Sequence, residues 1–145
     1  MTESEVALLL EGLPGVIAVT ASSESGAPEV SWGDSFFFYD PDQTADRRQP
    51  FATIVTKDYP GFDTSSKLDR PGVFRLNLAV GRETFQQLFG FPSAGFADQA
   101  AEFDFAELDR VLPHPVYARQ GWISVLTPGP PGRRLTRDLG SAMSR

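Results

Sequence analysis

The stretch Phe74-Arg75-Leu76-Asn77-Leu78-Ala79-Val80 decides how the chain is to be folded. Successive side chains of a strand point to opposite faces, so Phe74, Leu76, Leu78 and Val80 share one side and Val73, Arg75, Asn77 and Ala79 the other. The first side is a core face. Phe51 to Lys57 alternates in the same way, Ala52, Ile54 and Thr56 against Thr53, Val55 and Lys57. If the two strands are neighbours, Thr53, Lys57, Arg75 and Asn77 converge on one semi-polar face. Two cations there would attract a carboxylate or phosphate, Arg through a bidentate fork and Lys as a point charge. The competing reading is that Arg75 or Lys57 pairs with Asp34, Asp58, Asp63 or Asp69 and pins the long loop between the strands.

Outward from this pair, the remaining elements follow from periodicity and punctuation. Thr2 and Glu5 fit a capping box, and Val6, Leu9, Leu10 and Leu13 recur at helical spacing until Leu13-Pro14-Gly15 stops the helix. Val16 to Thr20 is a β-branched run, Ser22 to Pro28 a turn, and Glu29 to Asp40 a buried strand or two carrying Trp32 and Phe36-Phe37-Phe38-Tyr39. Pro41 to Pro50 is polar and turn-like, and Asp58 to Pro71 is a long loop. Gly81 opens a helix with Phe85, Leu88 and Phe89, and Gly90 to Glu102 fits no element clearly. Asp104 and Glu107 form a second N-cap pair, predicting a helix with Phe105, Leu108 and Leu112 on one face, broken by Pro113-His114-Pro115. Trp122 to Leu126 is the last strand, Pro128 to Gly132 a turn, and Leu135, Leu139 and Met143 mark a short C-terminal helix. Strands in a run followed by helices predict an α+β fold, a single domain over residues 1–145 with helices packed on one face of an antiparallel sheet. The other face then needs loops, a partner subunit or a ligand to cover it.

Composition narrows the chemistry. With no cysteine, thiolate nucleophiles, zinc–thiolate sites, iron–sulfur clusters and disulfides are excluded. A net charge of −6 would repel duplex DNA, so no nucleic-acid partner is expected. Arg133, Arg134, Arg137 and Arg145 in the tail read as solubilising. No apolar run approaches the roughly 18 residues of a membrane span, and the acidic start lacks the pattern of a secretory signal, which makes the cytoplasm the expected compartment and a membrane partner unexpected. Nucleophile elbows, phosphate loops and dinucleotide fingerprints are missing, so neither a cofactor nor a metal is expected. His114, the only histidine, is a candidate general base if one partner and a cleft are supplied; otherwise it caps backbone or packs at a loop.

Several longer stretches are similar to known patterns. Trp32-Gly33-Asp34 with its Phe run, Pro50 to Gly61, Leu68 to Asn77 and His114-Pro115-Val116-Tyr117 through Trp122 resemble a family of short bacterial proteins known only as a domain of unknown function. That resemblance supplies no activity. A more distant similarity, carried by Leu13-Pro14-Gly15, Trp32-Gly33-Asp34, Phe74 to Phe89 and Tyr117 to Val125, points to the MmcQ/YjbR-like group with its frataxin-related fold. It implies an α+β fold around an antiparallel sheet. DNA binding, proposed for some of that group, does not suit the acidic balance here, and helix one offers only Glu3, Glu5 and Glu11 toward a frataxin-like acidic ridge.

The leading expectation is a domain that binds a small, possibly anionic metabolite on the open sheet face. Lys57, Arg75, Asn77 and Thr53 would make the polar contacts, and Trp32, Tyr117 and Trp122 would supply aromatic walls. The second is a cofactor-independent lyase, cyclase or hydrolase with His114 or Asp34 as acid/base and Arg75 or Lys57 stabilising negative charge. The third is an interaction module that homodimerises through the aromatic sheet face.

Overall fold

A computed structural model of the chain describes residues 1–42, 49–130, 134 and 136–139. The N-terminal helix α1 spans Glu3–Glu11 and begins with the predicted capping box: Thr2 Oγ1 accepts from the Glu5 N–H, and Glu5 Oε1 accepts from the Thr2 N–H. Six strands follow, β1 (Val16–Thr20), β2 (Ser35–Tyr39), β3 (Ala52–Val55), β4 (Arg75–Ala79), β5 (Val111–Pro113) and β6 (Trp122–Leu126), with α2 (Gly81–Phe89) and the one-turn α3 (Phe96–Gln99) between β4 and β5. The strands form one sheet in the order β1-β2-β3-β4-β6-β5, antiparallel throughout. The fold is therefore α+β. Among the described residues no helix is long and apolar enough to cross a membrane.

Register explains which side becomes core. Ile54 sits opposite Leu76, Ala52 opposite Leu78, and Leu78 opposite Ile123. All five are buried, together with Phe37, Phe74, Val6 and Leu10 of α1, Phe85 of α2 and Phe96 of α3. The three helices thus lie on one face, and Leu139 packs there as well. The phenylalanine excess is spent mostly in this layer: Phe85, Phe89, Phe91, Phe103, Phe105 and Phe96 form a continuous series of tilted and edge-on ring contacts with centroids 4.7–6.2 Å apart. At one end of the opposite face Val55, Leu68, Leu112 and Leu126 make a smaller core beneath the loop that joins β3 to β4.

Two segments depart from the sequence reading. The helix expected after Asp104 is a series of turns ending in β5. Asp104 Oδ1 accepts from the Ala106 N–H, an Asx turn rather than a helix cap, and Asp109 adopts a positive φ of 54° that no helix continues through. Edge position reconciles Pro113 with a strand, because its missing N–H is not needed for pairing there. Trp32 lies just past a 3-10 turn (Glu29–Ser31), not in a strand, and the strand proper begins at Ser35. Gly90 to Glu102 becomes short turns of 3-10 and α-helix around α3. At the C-terminus residues 136–139 are helical, while Leu135, Met143, Arg133 and Arg145, the turn residues 131–132 and residues 43–48 of the polar connection lie outside the described residues.

Candidate functional site

Strand pairing fixes the floor of a cleft. Thr53 of β3 is opposite Asn77 of β4, and Asn77 is in turn opposite Ser124 of β6, so three polar side chains line up across three strands on the face away from the helices. They are hydrogen-bonded in series. Asn77 Nδ2 donates to Thr53 Oγ1 at 2.9 Å, and Ser124 Oγ donates to Asn77 Oδ1 at 2.9 Å. Arg75, two residues along β4, adds its Nε–H to the same Asn77 oxygen at 2.8 Å.

The β3–β4 loop supplies the counter-charge. Asp63 accepts from Arg75 Nη1 at 3.0 Å and from Nη2 at 2.5 Å, a bidentate fork, and Ser66 Oγ accepts from Nη1 at 2.9 Å. Arg75 is 1% exposed. A buried guanidinium is stable only with its charge met and its N–H groups largely bonded; Asn77, Asp63 and Ser66 take four of the five, and the long loop is held in place to bring Asp63 and Ser66 there. Asp58 Oδ1 accepts from the Leu68 N–H, and Arg70 donates to the carbonyls of Ser66, Lys67 and Ala106.

His114 reaches the floor from the end of β5. Its backbone N–H donates to the Trp122 carbonyl at 3.1 Å, continuing the β5–β6 ladder. Its ring Nδ1 accepts from the backbone N–H groups of Val116 and Tyr117, both at 3.0 Å. Two donors on Nδ1 assign the ring proton of the neutral imidazole to Nε2. Burial, and then the Arg75 charge, push the His114 pKa down to about 3, with Asp63 opposing. The ring is therefore neutral at physiological pH.

Aromatic side chains wall the cleft. Tyr117 stands beside His114 with centroids 5.0 Å apart, Trp122 meets His114 edge-on at 6.4 Å, and Phe62 faces Tyr117 at 6.2 Å. Phe36, Val55, Pro50, Tyr59, Gln49 and Gln120 complete a cavity of about 490 Å³. That is the size range of small-molecule sites, and mostly apolar walls around a few fixed polar groups are their usual make-up.

Of the residues singled out from sequence, Thr53, Arg75, Asn77, His114, Tyr117 and Trp122 line this one cleft. The other three do not. Lys57 lies beyond the end of β3 and donates its Nζ to the Trp32 carbonyl. Trp32 donates its indole N–H to the Ala27 carbonyl at 2.8 Å and is away from the cleft lining. Asp34 is fully buried just before β2, where it accepts from the Thr56 N–H at 3.1 Å and from the Tyr59 hydroxyl. Burial raises the Asp34 pKa against the lowering effect of those bonds, and burial beside Asp34 raises that of Tyr59. This carboxylate fixes the loop that carries Tyr59; it does not face a substrate space.

The competing expectation, that Arg75 pairs with one of four aspartates and pins the long loop, is what the structure shows, with Asp63 as the partner; Ser66, Ser124, Tyr59 and Phe62 were not among the expected contacts. The alternation of Trp122 to Leu126 does set Ser124 opposite in facing to Ile123 and Val125, but its pairing with Asn77 is a tertiary fact. Among the described residues no group of three or more His, Asp or Glu side chains is placed to hold a metal ion.

Chemically, the floor can donate hydrogen bonds but is poorly furnished to take protons. The neutral imidazole is a weak base, Asp63 is engaged by Arg75, and Asp34 is outside the cleft. Fold and cleft together define a small antiparallel α+β domain with a buried polar floor on the face opposite its helices. The chain belongs to DUF6194, a family of unknown function whose model matches residues 1–143. No curated protein and no solved structure matches it.

Proposed function

We propose that the protein is a small-molecule binding domain whose ligand occupies the sheet-face cleft between Tyr117, Phe62, Trp122 and Phe36. The observation that carries this reading is the pairing of a buried, hydrogen-bonded polar floor with aromatic walls around about 490 Å³. Buried polar groups on an otherwise open sheet face cost stability that an apolar face would not, and a ligand contact is a reason to keep them. Arg75 is already neutralised by Asp63, so the reading favours an uncharged or weakly polar ligand over the anionic one that a free Arg75 and Lys57 would have drawn. The MmcQ/YjbR-like resemblance implies an α+β fold around an antiparallel sheet, a class this chain shares, and a relation to that group is part of the proposal, without an activity attached.

A thermal-shift screen of the purified protein against uncharged aromatic compounds, nucleosides and small carboxylates tests it. A ligand bound only by the native state, at a hundredfold over its Kd, stabilises by about 2.7 kcal/mol, which is several degrees for a domain of this size. A shift that disappears in Tyr117→Ala supports the cleft as the site. A panel in which no compound moves the melt, or in which Tyr117→Ala leaves the shift intact, overturns it.

A further inference from the structure

Arg75 Nη2 and His114 Nε2 are 3.5 Å apart, and both residues line the cleft. The two backbone N–H groups on Nδ1 leave the ring proton on Nε2, so this contact joins two donors rather than a donor and an acceptor. Arg75 Nη2 gives one hydrogen to Asp63 Oδ2, and its second finds no acceptor in the ring nitrogen, which carries its own proton. Asn77, beside them, spends one of its two Nδ2 hydrogens on Thr53. Unspent N–H groups of the floor are thus those of His114 Nε2, Arg75 Nη2 and Asn77 Nδ2, and His114 is 3% exposed, so bulk water reaches it little. A group that bridges this pair must bring an acceptor oxygen.

We propose, resting on the cleft reading above, that the bound ligand is a flat, uncharged carbonyl compound whose oxygen accepts from both His114 Nε2–H and Arg75 Nη2–H, its ring system lying between Tyr117, Phe62 and Trp122. Charge decides between a neutral carbonyl and a carboxylate. The Arg75 charge is matched by Asp63 at 2.5 Å, so an incoming carboxylate would be buried beside a carboxylate with no net cation to meet it. A ketone, amide or lactam oxygen carries enough partial charge to use the donors and loses far less on leaving water. The donor pair also discriminates against plain hydrocarbons, which would leave two buried hydrogens unanswered.

The test uses three isosteric probes: 2-naphthamide, 2-naphthoate and 2-methylnaphthalene. Isothermal titration with wild-type protein is expected to rank the amide at least tenfold tighter than either of the others. His114→Asn keeps an acceptor oxygen near the Nδ1 position for the Val116 and Tyr117 N–H groups but removes the far donor, and it is expected to erase the amide's advantage over 2-methylnaphthalene. Should that variant fail to fold, the Nε2–H resonance of the single histidine in ¹⁵N-labelled wild type reports the same contact. It is expected to move downfield with 2-naphthamide and stay in place with 2-methylnaphthalene. Equal affinity of amide and hydrocarbon with a stationary Nε2–H resonance overturns the donor pair while leaving the cleft as a binding site. Tightest binding by 2-naphthoate overturns the neutral-ligand assignment. Failure of all three probes to bind overturns this inference, whereas the cleft reading itself stands or falls with the wider thermal-shift panel.

Discussion

His114 Nε2 and Arg75 Nη2 meet at 3.5 Å with a hydrogen on each nitrogen. Such a contact is tolerable only while the imidazole is neutral, because a protonated ring would place a second positive charge against the guanidinium with only Asp63 to offset both. The pairing of Nδ1 with two backbone donors and the salt bridge on the other side of Arg75 hold that state together.

The first consequence is a pH dependence. The unfolded chain's histidine titrates near 6.5, while the folded pKa is pushed down to about 3. Between those values the unfolded state binds the extra proton, so stability is full above about pH 6.5 and falls as pH drops toward 3. The slope from this one group is about 1.4 kcal/mol per pH unit. His114 is the only histidine, so its ¹H–¹⁵N imidazole signals are expected to show no titration from pH 7.5 down to 5. Urea midpoints of wild type and His114→Asn, compared at pH 7 and 5, should differ in slope by that one proton. A wild-type midpoint that drops no faster than the variant's would show that the ring is not held neutral.

Removing one partner of the Arg75–Asp63 pair leaves a buried charge. Arg75→Met and Asp63→Leu are each expected to cost about 3–5 kcal/mol, and the double variant markedly less than the sum. Chemical denaturation of the four proteins completes the cycle. Additive costs would mean that the two side chains do not act as a pair in solution.

Tyr59 is the hydroxyl donor to the buried Asp34 carboxylate. Tyr59→Phe is expected to lose about 1–3 kcal/mol by leaving that carboxylate short of a partner, read as a lower urea midpoint at unchanged m-value.

The rim behaves differently. Phe62 is 58% and Tyr117 41% exposed, so Phe62→Ala and Tyr117→Ala are each expected to change folding stability by no more than about 1 kcal/mol. Both are expected to weaken any cleft ligand. A rim variant with full affinity would place the ligand elsewhere.

Gly121 carries φ +85°, and a Cβ there would sit 2.7 Å from the Gly81 carbonyl carbon. Its own carbonyl accepts from the Val80 and Gly81 N–H groups, which joins the start of α2 to the turn before β6. Gly121→Ala is expected to lower the melting temperature through backbone strain and this clash, at a cost of at least about 1–3 kcal/mol. Wild-type-like melting would mean that the two backbones part easily.

Alternation alone made the facing of Thr53, Arg75 and Asn77 legible, because β3 and β4 are regular where those residues lie. Lys57 has the same parity as Thr53 and Val55, yet Asp34 captures the Thr56 N–H and hydroxyl, and the chain leaves the sheet before Lys57 is reached. That capture spans 22 residues, a distance that local patterning does not report. Phe105, Leu108 and Leu112 have helical spacing, but Asp109 sits in the left-handed region and its carboxylate accepts from the Gly129 N–H, so a tertiary contact overrides the periodicity. The choice of Asp63 among four candidate aspartates was likewise invisible, since it follows from how the β3–β4 loop folds back over the sheet.

Floor and rim of the cleft stand under different constraints. Arg75, Asp63, Asn77, Ser66 and Ser124 are buried in bonds with one another, so changing any of them to suit a new ligand also endangers the fold. Phe62 and Tyr117 touch few such obligations. On the proposed binding role, ligand choice would drift at the rim while the floor stays fixed. Relatives with different ligands would be expected to share the buried network and differ in the side chains at the mouth.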